Sequence, residues 1–145
     1  MLEAKNINVS YGAIHAIHDV SLQVNDGEIV SLIGANGAGK TTILRTITGL
    51  QAADNGEIIY NGTDLRKIDP ANIVSLGMAH VPEGRHVFTR MTVMENLLMG
   101  AFMRKDKANL QKDMNRVFAS FPRLKERARQ FAGTLSGGER QRISI

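Results

Sequence analysis

The chain has 145 residues, 43% hydrophobic and 22% charged, which excludes a disordered chain, and its lack of cysteine excludes a disulfide scaffold or a thiolate zinc site and fits a reducing compartment. The net charge of +4 suggests an anionic partner, but the basic residues are dispersed and the densest run, 123–129, reads as a solvated helix face rather than a nucleic-acid patch. No signal-peptide pattern opens the chain and no apolar run approaches the ~20 residues of a membrane span, so a soluble protein with at most peripheral membrane contact is expected.

Residues 2–24 alternate in polarity. Ile7 and Val9 share one face; His18, Val20, Leu22 and Val24 share another, opposed by Asp19, Ser21 and Gln23, which predicts a half-exposed antiparallel sheet. After a turn at Asp26-Gly27, the apolar run 29–33 predicts a strand buried on both faces. A Gly-rich loop follows, then a helix with Ile43, Leu44, Ile47 and Leu50 on one side. Asn55-Gly56 and Asn61-Gly62 bracket residues 57–60, a hairpin signal. Asp69 before Pro70 predicts an N-cap, and Gly77 stops that short helix. Residues 78–81 read as a second buried strand, ended by Pro82. Thr92-x-x-Glu95 is a capping box opening an amphipathic helix. A second helix carries Leu110, Met114, Val117, Phe118 and Phe121, a packing stripe rather than a cofactor pocket, and residues 124–130 form a third. There are no repeats and no low-complexity tracts.

Gly34-Ala35-Asn36-Gly37-Ala38-Gly39-Lys40-Thr41 fits G-x-x-x-x-G-K-[ST]. The residue types follow from the task of holding phosphate. Glycines let the backbone coil tightly and turn several N–H groups inward, and the helix opening near Gly39 adds the positive end of its dipole. Lys40 would reach the β- and γ-phosphates of ATP, the Thr41 hydroxyl would sit on Mg²⁺, and Thr42 could donate one more bond. By composition alone, a chance match in a chain this long is about one in two hundred.

Leu135-Ser136-Gly137-Gly138-Glu139-Arg140-Gln141 is the other decisive segment. Ser136-x-x-Glu139 is a capping box, which accounts for two of its residues and leaves the paired glycines unexplained. A Gly-rich helix start is also an anion site, the second in one chain.

The segment resembles the signature motif of ABC ATPases, and with the phosphate loop the resemblance extends over the whole chain. It implies an α/β fold: a P-loop NTPase (RecA-like) core with an antiparallel β subdomain and an inserted α-helical subdomain, here C-terminally incomplete. Residues 1–91 would form the nucleotide-binding core with its antiparallel part, and residues 92–145 the helical part ending in the signature. In the family two ATPase subunits meet head to tail, so Ser136, Gly137, Gly138 and Glu139 would serve the partner's ATP, whereas Gly34, Asn36, Gly37, Ala38, Gly39, Lys40, Thr41 and Thr42 serve the chain's own. Tyr11 matches the aromatic that stacks on adenine. Glu83 falls where the family has its Gln-bearing loop; a carboxylate there could approach Mg²⁺ directly or through water. The run from Val81-Pro82-Glu83-Gly84-Arg85-His86 to Leu97 is similar to the ATP-binding subunits of bacterial importers for branched-chain amino acids and related solutes.

A P-loop ATPase also needs a carboxylate after an apolar strand and, in this family, a neighbouring Glu and a later switch His. No Asp or Glu here follows four consecutive apolar residues, no Asp-Glu pair occurs, and His15, His18, His80 and His86 come too early. The chain stops inside an apolar-patterned helix at Ile143-Ser144-Ile145, so a fragment with weak nucleotide binding and negligible hydrolysis is expected. The resemblance implies an ATP- and Mg²⁺-dependent importer subunit on the cytoplasmic face of the membrane. Its partners would be permease subunits and a second ATPase subunit, identical or paralogous, and no nucleic acid. The alternatives are a soluble ABC ATPase of the DNA-repair or translation-factor type, disfavoured by the lack of a coiled-coil insertion, and a non-catalytic nucleotide-binding fragment.

Overall fold

A computed structural model describes residues 1–84, 86–104 and 106–144; Arg85 of the Glu-Gly-Arg run and the terminal Ile145 lie outside the described residues. The chain divides into two compact units, Met1–His80 and Val81–Ile145.

The first unit is built on a four-stranded antiparallel sheet in the order β2-β1-β3-β4, with β1 at Leu2–Tyr11, β2 at Ile14–Val24, β3 at Asn55–Tyr60 and β4 at Thr63–Asp64. The β3–β4 turn places Asn61 at φ 47° and Gly62 at φ 81°, the two left-handed residues that a tight two-residue hairpin requires. Helix α1, Lys40–Ile47, lies against this sheet, and α2, Pro70–Ile73, starts on the Asp69 cap, whose side chain accepts from the Ala71 amide. Gly77 ends the following turn at φ 88°. The core comprises Ala4, Ile7, Val9, Ile17, Ile58 and Leu65, with Ile43 of α1 packed on it.

The alternation along β2 changes phase within the strand. Ile7 pairs with Val20 but Val9 pairs with Ile17, so β2 carries one extra residue there, and Asp19 takes φ 47° at the bulge. Ile17 is therefore buried and His18 exposed, whereas an unbroken period of two puts His18 on the apolar face. Asn6, itself at φ 50°, donates through Nδ2 to Oδ1 of Asp19 at 2.7 Å, bridging the two irregularities.

Two expected strands are absent among the described residues: 29–33 and 78–81 carry no strand. Ile29 and Ile33 are each 95% exposed. An apolar run becomes a strand only when a lateral neighbour takes its amides and carbonyls, and no described segment pairs with either run. Leu44 is likewise half-exposed and Leu50 largely so, leaving Thr46 and Ile47 as the buried residues of α1.

The second unit is helical: α3 at Val93–Gly100, α4 at Lys107–Ser120, α5 at Pro122–Glu126 and α6 at Gly137–Ser144. Val93, Met114, Phe118, Leu124 and Leu135 form its core, and burying Val93 and Leu124 completely contributes about 1.5–3 kcal/mol each. The capping box at Thr92 is present, and the Thr92 amide, then its hydroxyl, hold the Glu95 carboxyl below its ordinary range. Helix α5 is shorter than the 124–130 expected. The carbonyls of Ala128 and Gln130 accept from the amides of Met94 and Val93 at 2.9 and 3.0 Å, so the segment after Glu126 unwinds to satisfy the first turn of α3. Asn96, buried on α3, secures the preceding loop: Oδ1 accepts from the Phe88 amide at 2.8 Å, and Nδ2 donates to the carbonyls of Phe88, Met91 and Thr92.

Candidate functional site

The phosphate-loop sequence runs from the extended segment before it straight into α1. Gly37 and Gly39 take φ 84° and 88°, left-handed values that cost an ordinary side chain about 1–2 kcal/mol. Gly39 is needed for a second reason. A Cβ there would lie 2.3 Å from Cδ1 of Ile17 and 3.2 Å from the carbonyl oxygen of Ala16, both on β2. The loop is seated on the sheet at this point, and only the absence of a side chain allows it.

The Lys40 ammonium donates to the carbonyls of Gly34 and Ala35, both at 2.7 Å, and so arches back over the loop with a third donor to spare. The Ala38 amide closes a turn onto the Ala35 carbonyl at 3.2 Å, and the first helical bond runs from Ile43 to Gly39 at 2.9 Å. Among the described residues, the amides of Gly37, Gly39, Lys40, Thr41 and Thr42 donate to no acceptor. A helix start leaves its first N–H groups without intrahelical partners, and here they share one loop with a cation and the positive end of the α1 dipole. That is the donor set a polyphosphate needs. Asn36 and Ala38 are exposed on the loop. The Thr41 hydroxyl is exposed and makes no hydrogen bond among the described residues, leaving its oxygen free for a hard cation.

Tyr11 ends β1 and is 42% exposed. Its hydroxyl donates to Oγ1 of Thr42 at 3.5 Å, the outer limit of a hydrogen bond, so two residues thirty-one apart in sequence meet beside the loop.

In the second unit Glu83 is exposed in a turn and makes no hydrogen bond or ion pair among the described residues. Ser136 caps α6: its amide and hydroxyl donate to Oε2 of Glu139 at 3.0 and 2.8 Å, and the Glu139 amide returns to Ser136 Oγ at 3.4 Å. Arg127 Nε stands 3.3 Å from the other carboxylate oxygen. The Ser136 hydroxyl, then its amide, with Arg127 nearby, hold the Glu139 carboxyl below its ordinary range. Gly137 is half-buried and Gly138 is exposed, with nothing within 4 Å of where its Cβ would stand, and among the described residues the amides of Gly137 and Gly138 donate to no acceptor.

Sequence reading missed two polar clusters. Asn96 stands among apolar neighbours on α3, and that interruption was its only signal. The contact of Ser10, His15 and Asp54 had none, because it joins three segments across the sheet.

The model of the family described as ABC transporter matches residues 17–145, which include both glycine-rich helix starts. The chain belongs to the ABC transporter family. This ABC transporter chain is 51% identical to the high-affinity branched-chain amino acid transport ATP-binding protein BraG of Pseudomonas aeruginosa over 145 residues, all of this chain and 62% of that one. It is 34% identical to a protein of Archaeoglobus fulgidus named "Probable branched-chain amino acid transport ATP-binding protein LivF", covering 100% of this chain and 61% of the relative. A solved ATP-binding subunit of an ABC transporter superimposes with a TM-score of 0.88 at 31% identity, over 99% of this chain and 59% of that one. The ABC transporter chain thus spans about three fifths of the length of these relatives, and its mixed α/β fold with an antiparallel sheet is that of the ABC ATPase cassette. No helix among the described residues is long and apolar enough to cross a membrane.

Proposed function

We propose that this chain belongs to the ATP-binding subunit of an importer for branched-chain amino acids or related solutes, and that its part is to grip the triphosphate. The observation that carries the reading is the presence, on one loop, of the Lys40 ammonium and of five amides between Gly37 and Thr42 that donate to no acceptor among the described residues. The importer assignment draws support from the 51% identity to BraG.

In this reading residues 1–91 are the nucleotide-binding core and residues 92–145 the helical part that ends in the signature. The amides of Gly37, Gly39, Lys40, Thr41 and Thr42 line the phosphates on a loop shaped by Gly34, Asn36 and Ala38, and Lys40 moves one or both of its bonds from the loop carbonyls to the β- and γ-phosphate oxygens. Thr42 adds a donor and Tyr11 offers its ring to adenine. Thr41 would hold Mg²⁺, which when bound offsets the charge on the phosphates, and Glu83, by the family resemblance alone, is a carboxylate that could serve that ion. Ser136, Gly137, Gly138 and Glu139 face the nucleotide of a second ABC ATPase subunit, identical or paralogous. Permease subunits hold the pair peripherally on the cytoplasmic face of the membrane, with no nucleic acid involved. Hydrolysis belongs to the whole cassette: residues 1–145 include no carboxylate after an apolar strand and no Asp-Glu pair, so these residues alone should turn ATP over negligibly.

Affinity retrieval from detergent-solubilised membranes of the source cells tests the assignment. Polytopic permease subunits and a second ATP-binding subunit should come with the bait. Retrieval with ribosomes or DNA, and with no membrane protein, would overturn it.

A further inference from the structure

The hairpin that carries Tyr11 is tied just beneath its tip by three polar side chains that the phosphate grip does not use. Tyr11 pairs with Ile14 at the tip, and Ser10 pairs with His15 one step below. His15 Nδ1 lies 2.9 Å from Ser10 Oγ, and Ser10 Oγ donates to Oδ2 of Asp54 at 2.6 Å. The Asp54 amide in turn donates to the Asn8 carbonyl at 2.8 Å. A hydroxyl has one proton. Since Ser10 gives its proton to Asp54, His15 must supply the proton at Nδ1. The series therefore has a direction, from imidazole to hydroxyl to carboxylate, and it links β2 through β1 to the residue ahead of β3.

Its place in the hairpin matters more than its strength. Between the pairs Val9–Ile17 and Ser10–His15, β2 carries an extra residue, Ala16. The Ala16 carbonyl and the Ile17 side chain are the surface on which Gly39 is seated. The tie thus has His15, the neighbour of the phosphate-loop seat, at one end and Ser10, the residue next to Tyr11, at its middle. A two-stranded tip is marginal by itself and splays readily without further contacts.

We propose that Ser10, His15 and Asp54 are positioning residues that set the spacing between the Tyr11 ring and the phosphate loop, so that one nucleotide meets both. The inference rests on Tyr11 as the base platform. It implies that the three residues add affinity for a nucleoside triphosphate and none for its base-free phosphate chain.

The test compares Mg-ATP with Mg-tripolyphosphate on the 145-residue chain. Ser10→Ala and His15→Ala should each weaken ATP binding about five- to tenfold, the scale of losing one stacked base, and leave tripolyphosphate binding unchanged. His15→Asn, whose amide N–H stands where Nδ1–H does, should restore most of the loss. In a Tyr11→Ala background Ser10→Ala should cost nothing further, because coupled residues are not additive. Equal losses for both ligands, or additive losses in the double variant, would reduce the cluster to ordinary hairpin stability and overturn the inference. If Tyr11→Ala itself leaves the preference for ATP over tripolyphosphate intact, the platform reading fails and takes this inference with it. If tripolyphosphate does not bind the parent at all, the phosphate grip fails first and the positioning role falls with it.

Discussion

Replacing Lys40 with alanine should weaken ATP binding about 10- to 100-fold while leaving the chain folded. Among the described residues the ammonium bonds the Gly34 and Ala35 carbonyls of an exposed loop, and Lys40 is not a member of the core. Removing it withdraws a charge-assisted donor from the phosphates, a loss of about 1.5–3 kcal/mol for a bond to a charged group. Lys40→Arg should not restore the affinity. A wide planar fork does not reproduce the position of a compact ammonium that bridges two carbonyls. Calorimetric titration with Mg-ATP measures both variants, and parent-like affinity in the alanine variant would remove the ammonium from the mechanism.

Gly39→Ala should damage the same site by another route. Its φ of 88° costs a non-glycine residue about 1 kcal/mol or more. The new methyl would also meet Cδ1 of Ile17 at 2.3 Å and the Ala16 carbonyl oxygen at 3.2 Å, and Ile17 is buried in the core. Overpacking of this kind costs about 1–3 kcal/mol, so the first unit should lose about 2–4 kcal/mol of stability, a large share of what a small domain has. Gly37→Ala isolates the two effects. Gly37 has a similar φ of 84° but nothing within 4 Å of its Cβ position, so only the conformational cost of about 1 kcal/mol applies. Denaturant midpoints of the two variants should differ in that order. Equal midpoints would mean that Gly39 is not seated on β2.

Features set by neighbours in the chain were legible in the sequence. Asp69 before Pro70, the Thr92–Glu95 box, Ser136–Glu139 and Asn61-Gly62 each specify one turn of backbone by local hydrogen bonding or by a left-handed φ, and each takes the expected form. The phosphate loop belongs with them, since its glycines and Lys40 act within a few residues of one another. Features that depend on a partner across space were not legible. The runs 29–33 and 78–81 have strand composition, but composition supplies no lateral neighbour. The bulge at Asp19 reverses which of Ile17 and His18 is buried, because one inserted residue shifts a period of two. Helix α5 ends early because α3 needs the carbonyls of Ala128 and Gln130, a demand from another element. The contact of Ser10, His15 and Asp54 spans forty-four residues and leaves no periodic trace.

Backbone amides, rather than side chains alone, are held to gather the phosphates, and an amide-resolved NMR titration of the isotope-labelled chain with Mg-ATP tests this most directly. The amide signals of Gly37, Gly39, Lys40, Thr41 and Thr42 should show the largest shifts and saturate together, with Tyr11 following at the same midpoint. Saturable ATP binding that leaves those five amides unmoved, or that moves a different surface, would contradict the phosphate grip at residues 34–42.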